Sequence, residues 1–286
     1  MSIRHKQAKD ENFPVSGFFV RKELRPIVEA YYNFARLADD IADNPKLSAS
    51  EKIKKLHTLE EVLCGSKKTQ DSTQAAAAKL RNIFINNQLD FSLATDLLIA
   101  FRQDSIGCSY ETIGQLVNYC TYSAAPVGRF MLAIYDENPA TYIPSASLCS
   151  ALQIVNHLQD IKYDAINLKR IYLPKELLER FGVEEDALRR DTSSEGLRKV
   201  IYHMSEFVRG QLAEAEILLR IVKNNRLRLE IAVIISLTNI LINKILREDV
   251  MSQKVKLSAW NKVIGLIGGI MRFFTKRTYT LPEGIK

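Results

Sequence analysis

Apolar residues recur along this chain at intervals of three and four positions, the period of an amphipathic helix. Strict alternation of apolar and polar residues, which is typical of a half-buried strand, is hard to find. The pattern predicts helices over residues 26–43, 49–64, 74–86, 92–103, 113–135, 145–167, 195–224 and 227–250. The connections are short, and no repeat or long linker separates them. We therefore predict a single all-α domain over residues 1–286.

The two ends of the chain differ in composition from the predicted helical domain. Residues 1–12 are polar and charged, without the apolar stretch of a secretory signal, so we expect a flexible N-terminus. Residues 255–286 read as a basic amphipathic tail, with a helix predicted over 260–277 that carries Lys262, Arg272, Lys276 and Arg277. Such a helix could lie on an anionic membrane surface, dock on its own domain or form a homodimer contact.

Composition narrows the classes of function. Only 12 Gly and 8 Pro occur in 286 residues, fewer than the turns of a β sandwich or barrel require. The net charge is +7, but the basic residues are scattered without an aromatic stripe, which argues against nucleic-acid binding. The longest apolar run, 231–243, falls short of the ~18–20 residues of a membrane span. We expect a cytoplasmic protein, at most peripheral at the inner face of the cell membrane.

The cysteines show neither metal-site spacing nor a disulfide framework. Cys64, Cys108, Cys120 and Cys149 lie far apart, and none forms a Cys-x-x-Cys pair. A cytosolic protein keeps its thiols reduced. We therefore predict four buried, reduced thiols.

The first and sixth predicted helices each carry two aspartates one turn apart. At 100° per residue, each pair shares a narrow stripe with other polar residues. The stripes consist of Tyr32, Arg36, Asp39 and Asp43 on the first helix, and Gln153, Asn156, Asp160 and Asp164 on the sixth. Both could be ordinary solvated faces, although the first lacks the Lys and Glu that decorate such faces. Paired carboxylates repel each other, and a divalent cation would convert that repulsion into a binding site.

Oxygen ligands are those that Mg²⁺ prefers, usually as a few carboxylates together with substrate phosphate oxygens. Two such helices facing each other across a cavity would suit the ionisation of a diphosphate ester, in which charge builds on the departing diphosphate. Arg36 and Arg170 lie close in sequence to the aspartates and could assist, or could simply form salt bridges with them. A non-catalytic helical interaction protein with solvated acidic stripes remains the alternative.

Five blocks of sequence resemble the squalene/phytoene synthase family in their order and approximate spacing. They are ENFPV at 11–15, YNFARLADDIAD at 32–43, YCTYSAAPVGR at 119–129, NHLQDIKYD at 156–164 and RIYLP at 170–174. Within that family, NFPV and SAAPVGR are most similar to the bacterial hydroxysqualene synthase branch of hopanoid biosynthesis. The resemblance implies an isoprenoid-synthase helical bundle around a central apolar cavity.

The resemblance also implies roles for the two stripes. Asp39 and Asp43 on one wall, and Asp160 and Asp164 on the other, would be catalytic and would hold Mg²⁺, with Asn156 as a neutral oxygen ligand. The expected partner is an isoprenoid diphosphate, bound by Arg36, Asn156, Tyr32, Tyr122, Gln153 and Arg170. Tyr32 and Tyr122 could equally be core tyrosines, although their π faces could stabilise a carbocation.

The chain departs from the family pattern at two positions. In the head-to-head synthases that the chain resembles, each acidic motif typically has the form Asp-x-x-Glu-Asp. Here the two Glu positions hold Ala42 and Tyr163. This favours a branch that receives presqualene diphosphate, ionises it and captures the cation with water to give hydroxysqualene. The alternative is head-to-head condensation of two prenyl diphosphates, giving presqualene diphosphate, squalene or a phytoene-like product. A reductive ending would need a nicotinamide site, and the glycines of 265–269 follow no predicted strand.

One further segment bears on the expected cavity. Residues 119–128 mix tyrosines with small residues, and Pro126 falls in what is predicted to be the middle of a helix. Proline there would kink the helix. The kink could let an isoprenoid chain lie against the backbone, or it could serve a tight helix crossing.

Overall fold

The chain is described by a computed structural model covering residues 20–69, 71, 74–107 and 109–275. Its α-helices are α1 (Arg25–Ala42), α2 (Ala49–Cys64), α3 (Ala75–Asn86), α4 (Ser92–Ile106), α5 (Ile113–Ser123), α6 (Ala125–Ile134), α7 (Tyr142–Tyr163), α8 (Lys175–Arg180), α9 (Glu195–Ala215), α10 (Leu218–Ile221), α11 (Asn225–Arg247) and α12 (Ala259–Thr275). No strand occurs within these ranges of the chain. The all-α prediction is confirmed.

Local sequence signals fix several helix ends. Ser48 accepts a hydrogen bond from the backbone of Glu51, whose side chain accepts one from the Ser48 backbone, so α2 begins with a complete capping box. The same helix ends at Gly65, whose φ of 84° suits a residue without a side chain. The Asn224 side chain caps the start of α11 by accepting hydrogen bonds from the backbone N–H groups of Arg226 and Leu227. These caps explain why the predicted boundaries of α2 and α11 are nearly right.

Two predicted helices have the wrong extent, and one helix was missed. The helix predicted over 113–135 breaks at Ala124, and Pro126 lies in the first turn of α6 rather than in mid-helix. Proline is well suited to that position, because the first turn has no partner for its missing N–H. The helix predicted over 195–224 ends at Ala215. Helix α8 and the 3₁₀ turn Glu185–Arg189 lie in a stretch where no helix was predicted.

The segment around Pro126 serves a close helix crossing. A Cβ added to Gly128 would collide with Ser145 Oγ and Cys149 Sγ of α7. The missing side chain therefore lets α6 lie directly against α7. Of the two interpretations that the sequence left open, this contact supports the helix crossing.

The apolar interior consists of two clusters. The smaller cluster belongs to α1–α4 and takes in Phe130 of α6, whose ring stacks on that of Tyr31 at 3.8 Å. The larger cluster is built mainly from α5, α7, α9 and α11. Helices α4 and α6 contact both groups of helices and join them. The central apolar cavity implied by the resemblance stays a prediction.

Helix α11 is the one described helix long and apolar enough to cross a membrane by length and composition. In the structure 61% of the most apolar stretch of this helix is buried inside the protein. It packs against α7, α9 and α12, so it is a core helix of the larger cluster. A buried core helix satisfies the same length and hydropathy test as a membrane span.

The C-terminal helix exists as predicted, as α12 over Ala259–Thr275. Residues 276–286, including Lys276 and Arg277, lie outside the described residues, as do residues 1–12 with their predicted flexibility. The prediction of four buried thiols is wrong for Cys64, which is exposed at the end of α2. Cys120 is buried and Cys149 half-buried, both as free thiols, and Cys108 is not among the described residues.

Candidate active site

The aspartates of α1 lie on its half-exposed face, opposite the side that packs into the smaller cluster. Arg36 Nη1 donates to Asp39 Oδ2 at 2.8 Å, and Arg36 Nη2 lies 2.9 Å from Asp40 Oδ1. A single guanidinium thus bridges two carboxylates within one turn and offsets half of their charge. Asp43 follows at the end of α1, where it is the C-terminal flanking residue of the helix.

Arg170 links the end of α1 to the segment that follows α7. Its Nη1 donates to Asp43 Oδ1 at 2.7 Å, its Nη2 to the Ala42 carbonyl at 3.0 Å, and its Nε to the Asp104 carbonyl at 3.0 Å. The side chain is only 6% exposed. Burial lowers the pKa of Arg170, but the nearby Asp104, Tyr172 and Asp43 outweigh it and raise that pKa above its usual value. The guanidinium is therefore charged and held in one orientation.

Asp104, near the end of α4, is a buried carboxylate satisfied by two tyrosines. The hydroxyl of Tyr119 donates to its Oδ2 and that of Tyr172 to its Oδ1, both at 2.8 Å. Burial raises the pKa of Asp104, while Arg170, Tyr119 and Tyr172 lower it in part. Burial and the neighbouring carboxylate raise the pKa of both tyrosines well above their ordinary value, so they remain hydrogen-bond donors.

The second acidic pair lies where α7 loses its regular geometry. Asp160 has φ −111° and ψ 15°, outside the helical region, and Asp164 begins a π-helical turn that runs to Leu168. Departures of this kind inside a helix are frequent at functional sites. Asp160 forms an ion pair with Lys254, and the neighbouring Gln159 donates to the Val255 carbonyl. These two contacts hold the segment between α11 and α12 against α7 beside Asp160.

Asp164 is buried and faces an aromatic group. His157 Nδ1 lies 3.7 Å from Asp164 Oδ2, and the His157 ring stacks on that of Tyr172 at 3.6 Å between centroids. Gln153 Nε2 lies 3.2 Å from His157 Nε2. A cavity of about 10 Å³, large enough for one water molecule, is lined by Asp164, Arg170, His157 and Tyr172 among others.

The remaining predicted residues occupy different settings. Asn156 is exposed on α7, one turn before Asp160. Tyr32 is half-buried on α1. Tyr122 is also half-buried, and it packs against the larger cluster near the break between α5 and α6. The structure therefore brings Asp43, Arg170 and Asp164 into one neighbourhood, with Asp39 one turn and Arg36 about two turns before Asp43 on α1.

The donor set suits magnesium that is shared with a substrate. Within the described part of the chain, no three His, Cys, Asp or Glu side chains form a metal-binding group. Mg²⁺ typically takes one or two protein carboxylates and completes its shell with water and substrate phosphate oxygens. Asp39 with Asp43, and Asp160 with Asp164, each supply that number of hard oxygen donors. The pairs fit an ion held jointly with a diphosphate rather than a closed protein site.

Sequence reasoning missed the residues that support the site from within. Asp104 lies in no recognisable motif, because a single aspartate near a helix end has no distinguishing pattern. Tyr119 and Tyr172 did belong to the blocks YCTYS and RIYLP, but nothing in the sequence indicated a shared carboxylate partner. The only available signal of a functional role was that each tyrosine belongs to one of the family blocks.

Comparison with known proteins identifies the family. Residues 6–261 match the family described as Squalene/phytoene synthase. The chain belongs to the squalene/phytoene synthase family. It is 35% identical to the hydroxysqualene synthase of Rhodopseudomonas palustris over 274 residues, which cover 96% of this chain and 92% of that protein. It is 36% identical to the hydroxysqualene synthase of Zymomonas mobilis over 255 residues, 88% of this chain and 84% of the relative.

Solved structures place the fold in the same family. A squalene synthase from Alicyclobacillus acidocaldarius superposes with a TM-score of 0.69 at 28% identity, covering 80% of this chain and 85% of that structure. The resemblance found in the sequence is confirmed, and the protein is an enzyme of the squalene/phytoene synthase family. The roles of individual residues and the requirement for magnesium stay predictions.

Proposed function

We propose that this enzyme converts presqualene diphosphate and water into hydroxysqualene and diphosphate. The carbon–oxygen bond to the diphosphate breaks, and the diphosphate departs with the electron pair. The resulting cyclopropylcarbinyl cation rearranges, a water oxygen bonds to it, and one proton is released to solvent. Atoms and charge balance without an oxidant or a reductant.

The observation that best supports an anion-binding site is the convergence of the two acidic segments on Arg170. Asp43, at the end of α1, accepts a hydrogen bond from this guanidinium, and Asp164, after α7, lines the same small cavity. Two acidic segments 121 residues apart in sequence therefore face one buried cation. Side chains that combine carboxylates with neighbouring cations suit a diphosphate that arrives with divalent metal.

The carboxylates have distinct tasks in this proposal. Asp39, Asp43, Asp160 and Asp164 would hold magnesium, with Asn156 as a neutral oxygen donor near the second pair. Magnesium, when bound, would neutralise the negative charge that develops on the leaving diphosphate. Arg36 and Lys254 neutralise Asp39 and Asp160 in the structure. When the aspartates bind magnesium, the side chains of Arg36 and Lys254 are released and can bind diphosphate oxygens.

Arg170 acts as a positioning residue. All three of its donor nitrogens have partners in the protein, two of them backbone carbonyls. It fixes the direction of the Asp43 carboxylate relative to α4 and to the segment after α7. Tyr119 and Tyr172 keep the Asp104 carboxylate in place behind it.

The two departures from the family motif support a reaction limited to presqualene diphosphate. The Ala42 side chain is fully buried in the structure, so a glutamate there would place its carboxylate in the apolar interior. Tyr163 is exposed on the last turn of α7. An enzyme that performs only one ionisation needs to neutralise one diphosphate, whereas condensation of two prenyl diphosphates begins with two.

Water, rather than hydride, is the proposed terminating nucleophile. Gly265, Gly268 and Gly269 lie inside α12, where Gly265 and Gly269 allow close packing against α11. They are not a turn after a strand, which is the arrangement that binds a nicotinamide dinucleotide. Relatives at 35% and 36% identity carry the name hydroxysqualene synthase, which agrees with an alcohol product.

The test is a product assay with two substrates. Purified enzyme is incubated with Mg²⁺ and either presqualene diphosphate or farnesyl diphosphate, without NADPH, and the extracted lipids are identified by mass spectrometry. We expect hydroxysqualene from presqualene diphosphate and no new lipid from farnesyl diphosphate. Turnover of farnesyl diphosphate would replace the proposal with head-to-head condensation. Inactivity with both substrates would refute both proposals.

A further inference from the structure

Helix α12 covers the larger cluster with its glycines and leaves its large apolar side chains outside. A Cβ on Gly269 would meet the Val233 backbone, and one on Gly265 would meet Leu237, so the glycine face lies directly on α11. Eight large apolar side chains of this helix are exposed: Trp260, Val263, Ile264, Leu266, Ile267, Ile270, Met271 and Phe274. We define these eight residues as the α12 apolar face.

The orientation of α12 is the reverse of a typical surface helix. Amphipathic helices on soluble proteins turn their large apolar residues inward and their polar residues to water. Here Trp260 is 70% and Phe274 69% exposed, and Arg272 is tied to Glu216 beside the core. Contiguous apolar surfaces of this kind mark a site of interaction with protein or membrane.

Charge indicates which of these covers the face. Between Val250 and Pro282 the sequence has six basic residues, Lys254, Lys256, Lys262, Arg272, Lys276 and Arg277, and no acidic residue. Lys256 and Lys262 are exposed and have no ion-pair partner within the described part of the chain. A second copy of this helix would bring two basic segments together without acidic residues of their own to offset the repulsion. An anionic lipid surface offers apolar depth and negative charge at once.

We propose that the α12 apolar face docks the enzyme on an anionic lipid bilayer. The helix lies in the plane of the interface with Trp260 at one end, a residue type that favours this region of the bilayer. Lys256 and Lys262 contact the lipid headgroups.

Docking would also fix the position of the second acidic pair. Lys254, five residues before α12, forms an ion pair with Asp160, and Gln159 donates to the Val255 carbonyl. The part of α7 that carries Asp160 is thus held near the membrane-facing end of α12. This consequence rests on the proposed function, whereas the docking surface itself does not.

The single tryptophan of the chain reports on this surface directly. Full-length protein is titrated with vesicles of phosphatidylcholine, with and without phosphatidylglycerol, while tryptophan emission and co-sedimentation are measured. We expect a blue shift and co-sedimentation with the anionic vesicles, both weakened by added salt because the headgroup attraction is screened. Absence of both signals with anionic vesicles would overturn the proposal.

Variants distinguish binding through the α12 apolar face from non-specific hydrophobic binding to vesicles. The double substitution Ile264→Glu with Ile267→Glu should weaken vesicle binding at least about tenfold, because it places charge in the apolar interface. Its matched control is Ile143→Glu on α7, where the side chain is 82% exposed but lies outside the α12 apolar face, and binding should be unchanged. Equal binding by the double variant would overturn the proposal. So would light scattering that shows a vesicle-free dimer whose formation requires Ile264 and Ile267, because a second copy would then cover the face.

Discussion

Arg170 Nη1 and Asp43 Oδ1 lie 2.7 Å apart although 127 residues separate them in sequence. The pair joins the smaller apolar cluster, which contains α1, to the segment that follows α7 in the larger one. A charge-assisted hydrogen bond of this length holds both partners in a defined geometry. One buried guanidinium therefore contributes directly to the relative position of the two acidic segments, together with the packing of α4 and α6.

Replacing this guanidinium tests that dependence. Arg170→Lys keeps the charge but cannot supply three separate donor directions to Asp43 and the carbonyls of Ala42 and Asp104. We expect a loss of about 3 kcal/mol in unfolding free energy, the cost typical of breaking a buried ion pair, and a fall in kcat. Urea denaturation and steady-state kinetics measure the two effects. A variant with wild-type stability and kcat would contradict the positioning role.

The acidic pairs should be needed for turnover but not for folding. Asp39→Asn and Asp160→Asn each remove one charge from a half-buried site and leave the helix sequence otherwise intact. We expect product formation from presqualene diphosphate to be abolished, with an unchanged far-ultraviolet circular dichroism spectrum. Asp186→Asn, at a side chain 77% exposed and away from the site, is the control and should retain full activity. Wild-type turnover by either variant would remove that aspartate from the proposed machinery.

The tyrosines behind the site should contribute to stability through Asp104. Tyr172→Phe keeps the ring that stacks on His157 but removes the hydroxyl that donates to Asp104 Oδ1. The buried carboxylate then lacks one donor, and we expect a loss of about 1–3 kcal/mol. Tyr119→Phe should cost a similar amount. Tyr202→Phe, at an exposed ring on α9, is the control, and equal melting temperatures for all three variants would contradict the assignment.

Glu230 on α11 should make stability dependent on pH. Burial raises its pKa to about 7 from 4.5, and its Oε2 has no hydrogen-bond partner within the described residues. Because the folded protein binds this proton more tightly than the unfolded chain, the unfolding free energy falls as pH rises from about 4.5 to about 7. The pKa shift corresponds to a total of about 3 kcal/mol.

Glu230→Gln should remove this loss. We expect a higher melting temperature than wild type at pH 8 and little difference at pH 5, where the carboxyl is already protonated. Glu179→Gln, at an exposed position on α8, should show neither effect. A pH profile of melting temperature that is identical for wild type and Glu230→Gln would show that this carboxyl does not titrate as described.

The glycine face of α12 should be intolerant of a methyl group. In Gly269→Ala the added Cβ would lie 2.6 Å from Val233 Cα, so α12 must move away from α11. Overpacking of this kind costs about 1–3 kcal/mol. Gly210→Ala on α9 has open space around the new methyl and should gain about 0.5–1 kcal/mol from helix propensity. Thermal unfolding distinguishes the two, and a stabilised Gly269→Ala variant would contradict the close contact.

The fold was predictable because the helical period persists along nearly the whole chain and the caps at Ser48 and Asn224 mark helix starts. The break at Ala124 was not, because Pro126 is compatible both with a kink and with the first turn of a new helix. Only the non-helical backbone of Ala124 in the folded chain decides between them. Helix α8 was missed because six residues contain too few turns to establish a period.

The site was predictable in part. The spacing of Asp39 with Asp43, and of Asp160 with Asp164, is visible in the sequence, and the family blocks gave it meaning. The contacts of Arg170 with Asp43 and of Tyr172 with Asp104 are products of tertiary packing. A local sequence pattern does not indicate a hydrogen-bond partner that lies more than 60 residues away in the chain. The non-helical backbone at Asp160 was equally invisible, because its neighbours have ordinary helix-forming composition.

The division of the interior into two clusters has a consequence for specificity. Arg170 links the two acidic segments through polar contacts that involve no side chain of either apolar cluster. Under the proposed function, substitutions among those apolar residues would change the length of hydrocarbon chain that the enzyme accommodates more than they change diphosphate binding. Head-group recognition and chain-length selection would then diverge separately in this scaffold.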